Sequence, residues 1–221
     1  EFATSSSAFW QRPSLRARTM IVGQWMTTKI VTIRKESSIQ EALAVMKRES
    51  IRHLPVTDED GNLLGWVTDA DLRGVLIASM LEELTLEDVM VRKPYVAGPA
   101  MPLEEAARII LEKKIGGLPV VADGKLLGII TVVDILTAFI TMIGMLSQSS
   151  RLDVRITKPG TPLDEITRLI RHHRAEVISI CHLPGQERQD PIYSVRLKKC
   201  DLQPIVSDLL DNGIEVVSSI P

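Results

Sequence analysis

The chain has 221 residues, 45% hydrophobic and 24% charged, the proportions of an ordinary soluble globular protein of one or two domains. A formal net charge of -2 provides no basic field for a nucleic acid, and no RNP, zinc-finger or helix-turn-helix signature is present. Two cysteines, Cys181 and Cys200, are too few for a disulfide framework and lack metal-ligand spacing, which fits a reducing cytoplasm.

Residues 1–19 carry Arg12, Arg16 and Arg18 with several Ser and Thr but no acid from Ala3 onward. They read as a cloning-derived or disordered segment, with an Arg- and Ser-rich transit peptide as the alternative. Order is expected from Met20.

From there the chain repeats itself. Trp25-Met26 through Leu72 matches Val89-Met90 through Ile135. Ile51-Arg52-His53-Leu54-Pro55-Val56 aligns with Ile115-Gly116-Gly117-Leu118-Pro119-Val120. Asp60-Gly61-Asn62-Leu63-Leu64-Gly65 aligns with Asp123-Gly124-Lys125-Leu126-Leu127-Gly128, and Thr68-x-x-Asp71 with Thr131-x-x-Asp134.

Each unit predicts the same elements. Residues 30–33 alternate like a short strand. Ser38 starts a helix whose face carries Ile39, Ala42, Leu43 and Met46; Leu103, Ala106, Ala107 and Ile110 form its counterpart. Leu54-Pro55-Val56 is a strand, Asp60-Gly61 a hairpin turn, Leu64 to Val67 the returning strand, and Thr68 the cap of a helix from Asp69. The apolar run Ile135 to Leu146 is too short for a bilayer, which needs about 20 apolar residues, and predicts a buried or dimer-forming helix with no membrane span.

The C-terminal part alternates as a strand at Leu152, Val154 and Ile156 and turns at Pro159-Gly160. A helix follows on Leu163, Ile166, Leu169 and Ile170, then a buried strand from Val177 to Cys181 and another strand from Ile192 to Leu197. A second helix on Leu202, Ile205, Val206, Leu209 and Leu210 stops at Asn212-Gly213, and Glu215 to Ser218 is the last strand. The order βαββαβ is the split ferredoxin-like arrangement.

The ordered, duplicated Leu-Pro-Val, Asp-Gly-x-Leu-Leu-Gly and Thr-x-x-Asp motifs resemble the CBS domain, and two in tandem resemble a Bateman module. The C-terminal unit resembles an ACT domain through Thr157-Lys158-Pro159-Gly160 and Leu163. Thr157 stands where Asp or Asn is usual, and Pro162 adds a residue. The CBS-CBS-ACT order is similar to the acetoin-utilisation accessory proteins. The expected class is therefore α/β (α+β): CBS repeats at 20–80 and 81–148, related by a pseudo-two-fold axis, then an ACT-like domain at 149–221. The resemblance implies clefts between the repeats for an adenosine-containing ligand: AMP, ADP, ATP, S-adenosylmethionine or a cyclic dinucleotide. It also implies a homodimer that regulates another, unidentified protein.

Thr68, Asp71, Thr131 and Asp134 are the leading ligand residues. Each pair sits where a strand hands over to a helix, whose free N–H groups attract phosphate, while the carboxylate can accept two hydrogen bonds from a ribose diol. The same spacing also makes a capping box that needs no ligand. Arg52 and His53 can pair with phosphates, their counterparts Gly116 and Gly117 can leave space for a base or sugar, and Arg34 can face the cleft. The stronger site is expected to join Thr131 and Asp134 to the cations of the first repeat, because the wall opposite Asp71 offers only glycines. No nucleophile–base pair, metal centre or phosphate-binding glycine loop is visible, so the chain reads as a regulator, not an enzyme. The alternatives are an amino-acid sensor acting through the ACT-like domain and an assembly protein with empty clefts.

Overall fold

The computed structural model describes residues 19–77, 84–156, 163–183 and 190–221. The chain divides into two compact units between Ile135 and Leu136.

In the first unit the repeat is visible in three dimensions. Repeat 1 runs α1 (Val22–Trp25), α2 (Ile39–Glu49), β1 (His53–Thr57), β2 (Leu63–Thr68) and α3 (Asp69–Val75). Repeat 2 runs α4 (Leu86–Val89), α5 (Leu103–Lys113), β3 (Gly117–Ala122), β4 (Lys125–Thr131) and α6 (Val132–Met142). The Ser38 hydroxyl accepts the Glu41 N–H at 3.1 Å and starts α2. That helix buries Ile39, Ala42 and Met46 at the predicted spacing. They pack with Leu54, Val56, Val67, Leu72 and Leu86 in one core. Burying each such large side chain contributes about 1.5–3 kcal/mol, so a single Leu54→Ala change would cost roughly 2–5 kcal/mol. Each strand pair is an antiparallel hairpin, and Gly61 and Gly124 take the positive φ that the two turns require, +81° and +79°.

The repeats exchange their leading segments. Thr27, ahead of the first hairpin, bridges to Ile129 on β4, and Val91, ahead of the second hairpin, bridges to Trp66 on β2. Gly65 and Gly128 belong to this exchange. A Cβ on Gly128 would lie 2.9 Å from the Met26 sulfur and 2.7 Å from the Thr27 carbonyl oxygen, and one on Gly65 would strike the Met90 side chain. The exchange also corrects one expectation. Residues 30–33 form no strand: only Ile33 pairs, by a parallel bridge to Val56. Thr27 is held by one hairpin and Ile33 by the other, so the residues between them span the gap and join neither.

The second unit contains β5 (Ser149–Arg155), α7 (Leu163–His172), β6 (Val177–Leu183), β7 (Ile192–Lys198), α8 (Gln203–Asp211) and β8 (Glu215–Ile220). Its sheet order is β6-β7-β5-β8 with antiparallel neighbours throughout. This is the split arrangement the element order predicts. Leu152, Val154, Val195 and Leu197 face Ile166, Leu169, Ile170, Ile205 and Leu209 of the helices. β6 is half-buried where the sequence predicts a buried strand, because it lies at the sheet edge. Gly213 ends α8 at φ +75°. The turn at Thr157–Gly160 and Pro162 lie outside the described residues. The apolar run after Ile135 is neither one helix nor wholly buried: α6 ends at Met142, and Leu136, Met142, Met145 and Leu146 are exposed. Among the described residues no helix is long and apolar enough to cross a membrane, and no cluster of three metal-ligating side chains occurs.

Candidate functional site

A cavity of about 710 Å³ opens within the first unit, between the two repeats. Repeat 1 contributes Arg52 and His53 from the start of β1, Trp66 and Thr68 from β2, and Asp69, Ala70 and Asp71 from the first turn of α3. The facing wall comes from repeat 2: Val91, Lys93, Pro94 and Tyr95 on its leading segment, Lys114 at the end of α5, and Gly116, Gly117 and Pro119 at β3. The hairpin register sets His53 opposite Thr68, and the Asp69 N–H donates to the Arg52 carbonyl at 3.0 Å. Two segments about fifteen residues apart thereby become one edge of the cleft.

The threonine–aspartate pairs differ between the repeats. In both, the threonine hydroxyl caps the helix and donates to the aspartate: 2.6 Å from Thr68 to Asp71 Oδ2, 2.7 Å from Thr131 to Asp134 Oδ2. Asp134 also accepts the Thr131 N–H at 3.0 Å, which completes a reciprocal capping box. It is 5% exposed. Asp71 is exposed and lines the cavity. The expected grouping of repeat 1 cations with Thr131 and Asp134 is not what this cavity shows. The cations of repeat 1 share a cavity with Thr68 and Asp71, and the wall opposite Asp71 carries Lys93 and Lys114 as well as glycines.

The glycines serve packing in part. A Cβ on Gly116 would collide with the His53 imidazole, and one on Gly117 would lie 2.9 Å from the Ile130 carbonyl oxygen. The volume that Gly116 vacates is thus filled by His53, which stacks on Trp66 with ring centroids 5.6 Å apart. Burial in this slot lowers the His53 pKa below its ordinary 6.5; Arg52 adds to the lowering and Asp71 opposes it. Arg34 does not join the group: its guanidinium donates to the Thr57 carbonyl at 3.2 Å. Asp69 is bonded by Arg73 at 2.7 Å, and this bond holds its carboxyl below the usual range.

Sequence reasoning missed Trp66, Lys93, Tyr95 and Lys114. Lys93 and Tyr95 are brought in by the exchanged segment, which no local pattern reveals, and Trp66 lies on β2, where that segment pairs. Lys114 had a readable signal, because it directly precedes Ile115-Gly116-Gly117 and aligns with Ser50.

The sequence matches the CBS domain twice, over residues 22–78 and 86–141. Among curated proteins, a CBS domain-containing protein of Dictyostelium discoideum is 34% identical over 136 residues, 56% of this chain and 94% of the relative. A homoserine O-acetyltransferase of Methanococcoides burtonii is 40% identical over 115 residues, and this match spans 52% of the chain but 23% of that enzyme. Among solved structures, CBSX2 in complex with AMP has a TM-score of 0.51 at 32% identity, covering 56% of this chain and 98% of that one. The CBS domain pair of protein MJ0100, in complex with 5′-methylthioadenosine and S-adenosyl-L-methionine, has a TM-score of 0.50 at 31% identity, covering 54% and 94%. A putative acetoin utilization protein (AcuB) from Vibrio cholerae has a TM-score of 0.53 at 33% identity, covering 58% and 96%. The duplicated hairpins, the exchanged segments and a match over more than half of its length place this chain in the CBS domain family, as a tandem pair.

Proposed function

We propose that the chain is a regulatory sensor that binds an adenosine-containing nucleotide in the cleft between its CBS repeats. The observation that carries this reading is the convergence of Thr68, Asp71, Arg52 and Lys114 on one cavity. Asp71 would take the ribose diol as acceptor, while the cations would take phosphate. The likeness to CBS pairs in complex with AMP, 5′-methylthioadenosine and S-adenosyl-L-methionine supports the ligand class. A ligand touching both walls would favour one packing of the repeats over others, by as much as its affinity differs between them. The βαββαβ unit, read as ACT-like, would relay that change to a regulated protein. Val133, Leu136, Met142 and Met145, 50–65% exposed along and just after α6, would be covered by a second copy of the chain.

A thermal-shift screen with adenosine, AMP, ADP, ATP, 5′-methylthioadenosine and S-adenosylmethionine tests the binding. At a ligand concentration 100 times Kd, stability should rise by about 2.7 kcal/mol. No shift with any of them, in the intact chain, would overturn the reading. Sedimentation as a monomer at micromolar concentration would remove the second copy from it.

A further inference from the structure

The repeats are joined by contacts of two kinds. At the hairpin tips the join is backbone: the Leu63 N–H donates to the Gly124 carbonyl at 3.3 Å, and the Leu126 N–H to the Gly61 carbonyl at 3.1 Å. At the other end of the hairpins the join is a side chain. His53 starts β1 and faces Thr68 at the end of β2, and its ring, Nε2 foremost, fills the space at Gly116 of repeat 2. Trp66 stacks on the same ring. Peptide hydrogen bonds do not titrate near neutral pH, whereas an imidazole does.

The slot suits the neutral ring better than the charged one. A protonated imidazole carries two N–H donors. Among the described residues it is His173, bonded to Asp208, that has a carboxylate acceptor, and His53 has none. The charged groups of the cavity are sorted by wall. Lys93 and Lys114 stand with Tyr95 on the repeat 2 side, Arg52 adjoins His53 on β1, and Asp69 and Asp71 lie on α3. Asp69 is already bonded by Arg73. A protonated ring is therefore repelled by the wall it is seated against and drawn to Asp71. Resting on the nucleotide-binding reading above, we propose that His53 is a proton-operated latch between the repeats: neutral, it sits at Gly116 and leaves the cleft free for ligand; protonated, it quits the slot, turns to Asp71 and obstructs the cleft. Burial and Arg52 hold the pKa of the seated ring below the ordinary 6.5, against the pull of Asp71. As pH falls from 6.5 toward that lower value, the unseated ring takes the proton first and the latch opens; below it, acid gives no further shift.

Two measurements on the full chain test the latch. In NMR of the ligand-free chain, the Gly116 amide should shift as the pH falls from about 8 to 5, where an imidazole titrates, and should not do so in His53→Gln. Adenosine serves as the ligand probe, because it carries no phosphate for a new cation to attract. Its Kd should rise at least about threefold between pH 7.5 and 5.5, as the fraction of chains with the ring seated falls. In His53→Gln that rise should vanish, whatever the affinity at pH 7.5. Gly116→Ala denies the slot to the ring at every pH and should give an equally flat profile. An adenosine Kd that is constant with pH in the wild type, or that rises as much in His53→Gln, would overturn the latch and leave the nucleotide reading standing. Failure of adenosine and AMP alike to bind at pH 7.5 would overturn the nucleotide reading, and the Gly116 amide would still decide whether the ring leaves its slot.

Discussion

The two CBS repeats use the same Thr-x-x-Asp motif for different ends. In repeat 2 the carboxylate turns inward: Asp134 is buried and takes both the N–H and the hydroxyl of Thr131. In repeat 1 the carboxylate accepts the Thr68 hydroxyl and stays exposed beside Arg52, Lys93 and Lys114. The intervening residues follow the same split, with Asp69-Ala70 in one repeat and the exposed Val132-Val133 in the other. On the reading proposed above, a capping box and a ribose acceptor are one motif at two settings of burial. The motif supplies the helix start in both repeats, and its surroundings decide whether an acceptor remains for anything else.

The sharpest break of this comparison is the matched pair of aspartate substitutions. Asp71→Ala should weaken nucleotide binding by about 1.5–3 kcal/mol, the range for hydrogen bonds to a charged group, or roughly ten- to hundredfold in Kd. Wild-type protein should discriminate against deoxyribose analogues by a similar factor, and the variant should not. Equal affinity of the wild type for both sugars would remove Asp71 from the ribose.

Asp134→Ala should act on folding instead. It strips the partner from the part-buried Thr131 backbone N–H, at a cost of about 1–3 kcal/mol in urea unfolding, with nucleotide affinity unchanged. If this variant loses affinity and keeps its stability, the assignment of roles to the two repeats is inverted.

A somewhat smaller effect should sharpen the link between the repeats. Gly116→Ala forces the new methyl group against His53, and overpacking of this kind costs about 1–3 kcal/mol. His53→Ala vacates the slot, so the double variant should recover part of that loss, with a coupling of at least about 0.5 kcal/mol in a double-mutant cycle. Strict additivity would mean that the ring and the glycine do not meet.

The smallest expected effect is a pH dependence. His53 has a lowered pKa in the folded chain, so between that value and the ordinary 6.5 the unfolded chain binds a proton that the folded chain does not. Stability from this residue is therefore complete above pH 6.5 and declines as pH falls toward the folded pKa. Melting temperatures of the wild type minus those of His53→Gln, taken from pH 8 to 5, should fall over the acid half of the series. A flat difference would show that the slot between Trp66 and Gly116 does not oppose the charge.

Local chemistry made much of this fold readable. Helix spacing located Ile39, Ala42 and Met46, turn chemistry located Gly61 and Gly124, and alternation with element order located the split βαββαβ sheet. It misplaced a strand at residues 30–33, because Val31 and Ile33 pack into the repeat 1 core while only Ile33 bridges to a strand. It misjudged the edge strand β6 and left Lys93 and Lys114 out of the cleft for a related reason: sheet order and cross-repeat neighbours are not written in any short window of residues.

What the sequence by itself determined is the duplication, the capped helix starts, the hairpins and the residue types available for a phosphate and a ribose. These follow from φ/ψ preference, hydrogen-bond valence and hydrophobic period, which act over a few residues. What only the tertiary structure decided is which members of the duplicated set share a cavity. The exchanged leading segments carry Lys93 and Tyr95 to the side of Thr68 and Asp71, His53 fills the space left by Gly116, and Arg34 is held by Thr57. Near-identical motifs receive different exposure because the residues around them differ between the repeats. At the aspartate position exposure, not residue type, separates the capped Asp134 from the exposed Asp71.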